Sequence, residues 1–140
     1  WFDEAQRFFY MGDEGDELTG RIAGTRTLVW DLTQLDDPII AREYIGPVQA
    51  TDHNLFVRGD RVYMSNYGSG LRVLDISDRA NPKEVAFFDS APRGNNEAGM
   101  SATESGAWSN YPFFKSGLVV FTSVREGLFV VRVKPASLVP

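Results

Sequence analysis

Thr27-Leu28-Val29-Trp30-Asp31-Leu32-Thr33, closed by Pro38, returns as Leu71-Arg72-Val73-Leu74-Asp75-Ile76-Ser77, closed by Pro82. Each copy sets an apolar β run before an Asp, a proline seven residues after that Asp, and a further strand-like run. The correspondence extends back to Phe9-Tyr10-Met11 and Val62-Tyr63-Met64, and forward to Glu43-Tyr44-Ile45 and Phe87-Phe88-Asp89. A third, degenerate copy follows in Leu118–Phe121 and Gly127–Val133, where Arg132 replaces the Asp. An internal repeat of this kind fixes the architecture before any single residue does.

Period-two alternation bounded by Gly, Asp, Asn and Pro marks nearly every segment, and no stretch sustains a helical period with caps at both ends. The chain therefore reads as all-β. The best copy predicts strands at His53–Val57, Arg61–Asn66, Gly70–Ile76 and Lys83–Asp89. Four short antiparallel strands in about 40 to 50 residues are the length of one propeller blade. The first copy supplies strands at Arg7–Met11, Thr27–Leu32 and Ile39–Ile45, with Trp1-Phe2 left where its innermost strand belongs. The third supplies Trp108–Phe113, Leu118–Ser123 and Gly127–Val133, then a tail. The expected organisation is one propeller domain with a truncated blade over 1–50, a complete blade over 51–92 and a last blade with its tail over 93–140. About two and a half blades do not close a ring, because propellers use four to eight. The remaining blades are expected from the same precursor or from another chain, and an open β-sandwich of the same strands is the alternative architecture.

At 140 residues and 43% apolar, the chain has enough material for a core. A formal charge of −5 argues against a nucleic-acid partner, since phosphate binding needs a basic stripe. With no cysteine, disulfides, thiolate catalysis and Cys-ligated metals are excluded. No run approaches a membrane span and no signal peptide is visible. The start at Trp1, inside a repeat and without an initiator Met, suggests a portion of a longer protein.

The succession Asp52-His53-Asn54-Leu-Phe-Val, Gly70-Leu-Arg-Val-Leu-Asp75-Ile-Ser, Asn81-Pro82, Gly106-Ala-Trp-Ser-Asn-Tyr-Pro112 and Gly127-Leu-Phe-Val-Val covers most of the chain. It resembles the LVIVD-type propeller repeat and, more specifically, the bacterial surface proteins called the choice-of-anchor B family. The resemblance implies a β-propeller exported to the cell surface, often beside a separate anchoring segment. It does not name a ligand or an activity.

Aligning the copies locates two insertions. Tyr10 and Trp30 are 20 positions apart where Tyr63 and Leu74 are 11 apart, so nine extra residues fall within Gly12–Arg26. Most of a second, thirteen-residue excess falls within Ala91–Ser105. Connections in an antiparallel meander alternate between the two ends of a sheet, so both insertions, with Asp52-His53-Asn54, point to one face. Function concentrates in loops held by a rigid scaffold, and this is the expected binding face, with Asp52, His53, Asn54, Trp108 and Asn110 as its residues.

The loop Gly12-Asp13-Glu14-Gly15-Asp16-Glu17 holds four carboxylates. Calcium favours six to eight oxygens from such loops, so Asp13, Glu14, Asp16 and Glu17 are candidate calcium ligands, while the spacing is not that of an EF-hand and a solvated acidic loop is the plainer reading. His53, the single histidine, could be a metal ligand, a general base or a ligand-binding group, against a merely structural role at a strand start. Asp31 and Asp75 are expected to build turns by accepting N–H bonds from residues shortly after them. Dense aromatics such as Phe8-Phe9-Tyr10 and Phe87-Phe88 should pack between blades. No Gly-x-Ser-x-Gly elbow, phosphate loop or zinc-protease motif occurs. These observations point to a non-catalytic module that binds a protein or surface polymer. A metal-dependent propeller hydrolase and a structural subunit of a surface assembly stand as the alternatives.

Overall fold

In the computed structural model, residues 1–22, 24–92 and 104–134 are described. Ten strands and one short helix follow in the order β1 (Phe8–Gly12), α1 (Glu14–Leu18), β2 (Gly24–Asp31), β3 (Ile39–Gln49), β4 (Leu55–Arg58), β5 (Arg61–Ser65), β6 (Leu71–Asp75), β7 (Lys83–Phe88), β8 (Ala107–Tyr111), β9 (Leu118–Ser123) and β10 (Gly127–Arg132). They form three antiparallel meanders, β1-β2-β3, β4-β5-β6-β7 and β8-β9-β10, so the fold is all-β.

The repeat seen in sequence is also a repeat in register. The β2–β3 ladder shifts between Val29 and Trp30, and the β6–β7 ladder shifts between Val73 and Leu74, the corresponding positions. Asp31 Oδ1 accepts the Thr33 N–H at 2.9 Å and Asp75 Oδ1 accepts the Ser77 N–H at 2.8 Å, each reinforced by the hydroxyl of the same residue. Both aspartates are thus turn builders, and these bonds hold both carboxyls below the usual carboxylate range. In the third copy, Arg132 instead reaches the Ser116 carbonyl at 2.5 Å.

Alternation places the two sides of the middle sheet in two cores. Val62, Met64, Leu74 and Ile76 face the first sheet, meeting Tyr10 and Val29, while Tyr63, Leu71 and Val73 face the third, meeting Ala107, Val119 and Phe121. Burying one such aliphatic side chain contributes about 1.5–3 kcal/mol. The Tyr10 hydroxyl reaches the Arg79 carbonyl at 2.9 Å, a polar stitch between the first two copies. Phe88, Phe121 and Phe129 form the expected aromatic packing between sheets, with Phe121 and Phe129 stacked at 5.0 Å. Phe87 departs from it: 63% exposed, it lies under the Arg72 guanidinium at 4.7 Å.

Two boundaries differ from the sequence reading for physical reasons. β4 begins at Leu55, yet His53 donates to the Ser65 carbonyl at 3.0 Å and Asn54 accepts from the Ser65 N–H at 2.8 Å, so pairing persists back to His53. The acidic stretch is a five-residue helix: Asp13 caps it by accepting the Gly15 N–H at 3.1 Å, and the Thr19 hydroxyl closes it onto the Gly15 carbonyl at 2.5 Å. Five residues are too few to show a helical period. Of the innermost strand expected at Trp1-Phe2, one bridge is formed, between Phe2 and Phe9.

Candidate functional site

At the end of the sheets that carries α1, four segments from all three copies converge on Tyr67. Its residue opens the turn Tyr67-Gly68-Ser69-Gly70 with φ at +28°, a left-handed conformation that costs a non-glycine residue about 1–3 kcal/mol. The backbone is held there by reciprocal bonds with Ala107, Tyr67 N–H to Ala107 O at 3.0 Å and Ala107 N–H to Tyr67 O at 2.8 Å. This approach requires Gly106, since a Cβ there would sit 1.9 Å from the Tyr67 carbonyl oxygen. The side chain reaches the other way and donates its hydroxyl to Glu14 Oε1 of α1 at 2.7 Å. Burial, then the Glu14 hydrogen bond, pushes the phenol well above its usual value, so it remains a donor.

His53 and Trp108 complete the cluster. His53 Nδ1 lies 2.6 Å from the Trp108 carbonyl oxygen, and Asn54 Nδ2 donates to the same oxygen at 3.4 Å. The His53 ring lies over Trp108 with centroids 4.2 Å apart, and Tyr67 meets both rings edge-on, at 5.3 Å and 5.7 Å. The indole is nonetheless 47% exposed. Tryptophan is enriched among interface anchors, and this one is braced on two sides while half its surface stays free.

Beside this cluster lie carboxylates of two kinds. Asp16 pairs with the Arg26 guanidinium, which also approaches Glu43 at 3.7 Å. Glu17, fully buried, accepts the Arg26 N–H on Oε1 at 3.0 Å, but its Oε2 has no partner among the described residues. Asp52 is 5% exposed, and neither of its oxygens has a hydrogen-bond partner there. The carboxylate is pressed against Gly12, where a Cβ would come within 2.5 Å of it. Burial raises Asp52 to about 8, and the charges of Glu17, Glu14 and Asp13 add to the rise. Burial likewise raises Glu17 to about 7.

The structure therefore brings Asp52, His53, Asn54 and Trp108 together with the first insertion. Asn110 stands apart: 6% exposed, it donates to the Tyr63 carbonyl at 3.2 Å and to Ser65 Oγ at 2.9 Å, tying β8 to β5. Residues 93–103, most of the second insertion, lie outside the described residues. The calcium candidates do not form one ligand set: Asp13 caps α1, Glu14 takes the Tyr67 hydroxyl, Asp16 takes Arg26 and Glu17 points inward. Among the described residues no three His or carboxylate groups come together as a metal site, and no helix is long and apolar enough to cross a membrane. Sequence reasoning missed Tyr67, whose signal is a bulky aromatic opening a Gly-Ser-Gly turn. It also missed the meeting of Glu17 with Asp52, for which residues 35 positions apart carry no local signal.

Compared with family models, curated proteins and solved structures, the chain matches none.

Proposed function

We propose that this chain is part of an exported, cell-surface β-propeller of the LVIVD-repeat kind and acts as a non-catalytic recognition module for a protein or surface polymer. Three features support the propeller reading: meanders following one another in chain order, the same register shift in two copies, and packing of β8 against β4 and β5 of the preceding sheet. The ring is then completed by residues outside this chain. The observation that carries the binding reading is the convergence of all three copies on Tyr67 to hold a half-exposed Trp108 over His53. Such preorganisation lowers the ordering cost of association.

The test is retention of the protein on a bacterial cell-wall preparation, compared between wild type and Trp108→Ala. At least a tenfold loss of retention is expected, with the melting temperature lowered by no more than a few degrees, as for an interface anchor. Equal retention would remove this face as the binding surface.

One observation favours a second reading, a subunit of a surface assembly. Strand β10 pairs with β9 on one side, and among the described residues no strand covers its other edge. A groove of about 610 Å³ beside it is lined by Phe87, Val131 and Val133. Strand addition from another chain would fill it.

A further inference from the structure

The chemistry at the Trp108 end selects one class of ligand. Three observations agree. First, Trp108 is 47% exposed, with its indole ring fixed by His53 at 4.2 Å and Tyr67 at 5.7 Å. The face of an indole carries negative quadrupole potential and attracts cations. Second, the Glu14 carboxylate is one tyrosine away from both rings, held by the Tyr67 hydroxyl at 2.7 Å, and Asp13 beside it is exposed. Third, Asp52, 5% exposed and pressed against Gly12, lies within the field of Glu17, Glu14 and Asp13, which reports the negative potential at this end. Arg26, the cation inside this cluster, is taken up by Asp16 and Glu43. The end thus carries the charge of Glu14 and Asp13, which no cation among the described residues pairs with, beside an aromatic platform.

We propose that the Trp108 face recognises an alkylammonium group, with the cation over the indole and its charge directed toward Glu14. The inference rests on the recognition reading above and names its ligand class. An anionic polymer would be repelled by the carboxylates, and a neutral sugar, whose hydroxyls can donate to them, carries no charge for the indole to attract. A dication would need a converging set of oxygen ligands, and among the described residues no such set exists. An alkylammonium needs one aromatic face and diffuse negative potential, which is what the site supplies.

The experiment follows the indole N–H signal of Trp108 by NMR, assigned by its loss in Trp108→Phe. Choline, n-butylammonium and 3,3-dimethylbutan-1-ol, the neutral isostere of choline, are titrated into the wild-type protein. Cation–π attraction should make the ammonium ions bind roughly two- to thirtyfold more tightly than the alcohol, with affinities of tens of millimolar. Added salt should weaken the ammonium ions and leave the alcohol unchanged. Glu14→Gln should weaken the ammonium ions about threefold or more while the alcohol is unaffected, a comparison that does not require Trp108 to be replaced. Tighter binding of n-butylammonium would assign a protonated amine and tighter binding of choline an alkylated one, and either upholds the proposal. If the alcohol binds as well as choline, or if no ammonium ion moves the Trp108 signal by about 50 mM, the proposal is overturned. The cell-wall retention of Trp108 could still stand in that case, because it does not depend on ligand charge.

Discussion

The carboxylates at the two ends of the sheets have opposite situations. At one end Asp31 and Asp75 lie toward solvent, each taking an N–H and a hydroxyl proton from the residue two positions on. At the other end Asp52 and Glu17 are buried, with three oxygens between them unpartnered among the described residues. The first pair stabilises the fold through its charge and the second destabilises it. Buried polar groups are normally satisfied, so Asp52 and Glu17 carry a cost in stability that the Asp31 and Asp75 turns do not.

The largest effect should come from testing how the two ends hold their glycines. Gly59, in the β4–β5 turn, has φ at +56° with open space around its Cα, whereas Gly106, φ at +93°, has the Tyr67 carbonyl where a Cβ would go. Gly59→Ala is expected to cost about 1 kcal/mol, the left-handed term alone. Gly106→Ala should cost about 3 kcal/mol or more, because it also breaks the Tyr67–Ala107 bridge. Equal costs from denaturant unfolding would show that the Tyr67 end is not held by that close approach.

The next effect is on pH dependence. Asp52 and Glu17 rise from 3.8 and 4.5 to about 8 and about 7, so the folded state binds protons that the unfolded state has lost. Their contribution to stability is complete below about pH 4, declines as pH rises, and levels off above about pH 8, with a slope of up to about 1.4 kcal/mol per pH unit for each proton. Asp52→Asn and Glu17→Gln should each flatten part of that decline in melts from pH 5 to 8. A wild-type profile without the decline would contradict the burial of the pair.

Asp75→Ala should act in the opposite direction of pH and more weakly. Its carboxyl is held low by Ser77, so the stability it provides is present above its unfolded value of 3.8 and lost as pH falls through that range. Losing the turn bonds should cost about 0.5–1 kcal/mol at neutral pH. A cost that persists undiminished under acid would mean that the bonds to Ser77 are not the cause. Smallest on folding is Trp108→Ala, expected within about 1 kcal/mol because half the ring is already in water. A larger loss would make the indole a packing residue.

The two ends also differed in how much the sequence disclosed. The strands and the Asp31 and Asp75 turns were legible because alternation and Asx chemistry act between neighbours in the chain. His53, Asn54 and Trp108 were placed at one end by the alternation of loops, and their mutual contacts follow that geometry. Tyr67 was not legible, because its role comes from a backbone bridge to Ala107, 40 positions away. Asn110 was read as part of the binding face, yet its position along β8 turns its side chain inward toward Ser65. The helix α1 was hidden by its length, since its cap and acidic first turn resemble any Asp- and Gly-rich loop.

The shared bulge at Val29/Trp30 and Val73/Leu74 bears on how such a molecule changes over generations. Bulges pin register, and a one-residue slip would turn every side chain to the wrong face. With pairing anchored in the first two copies near the Asp turn, the chain between β1 and β2 could lengthen by the residues of α1 while both sheets kept their cores. Duplication followed by growth in the β1–β2 connection is therefore a route by which one unit could diversify. Swapping Thr27–Thr33 with Leu71–Ser77 would be the corresponding exercise in protein engineering.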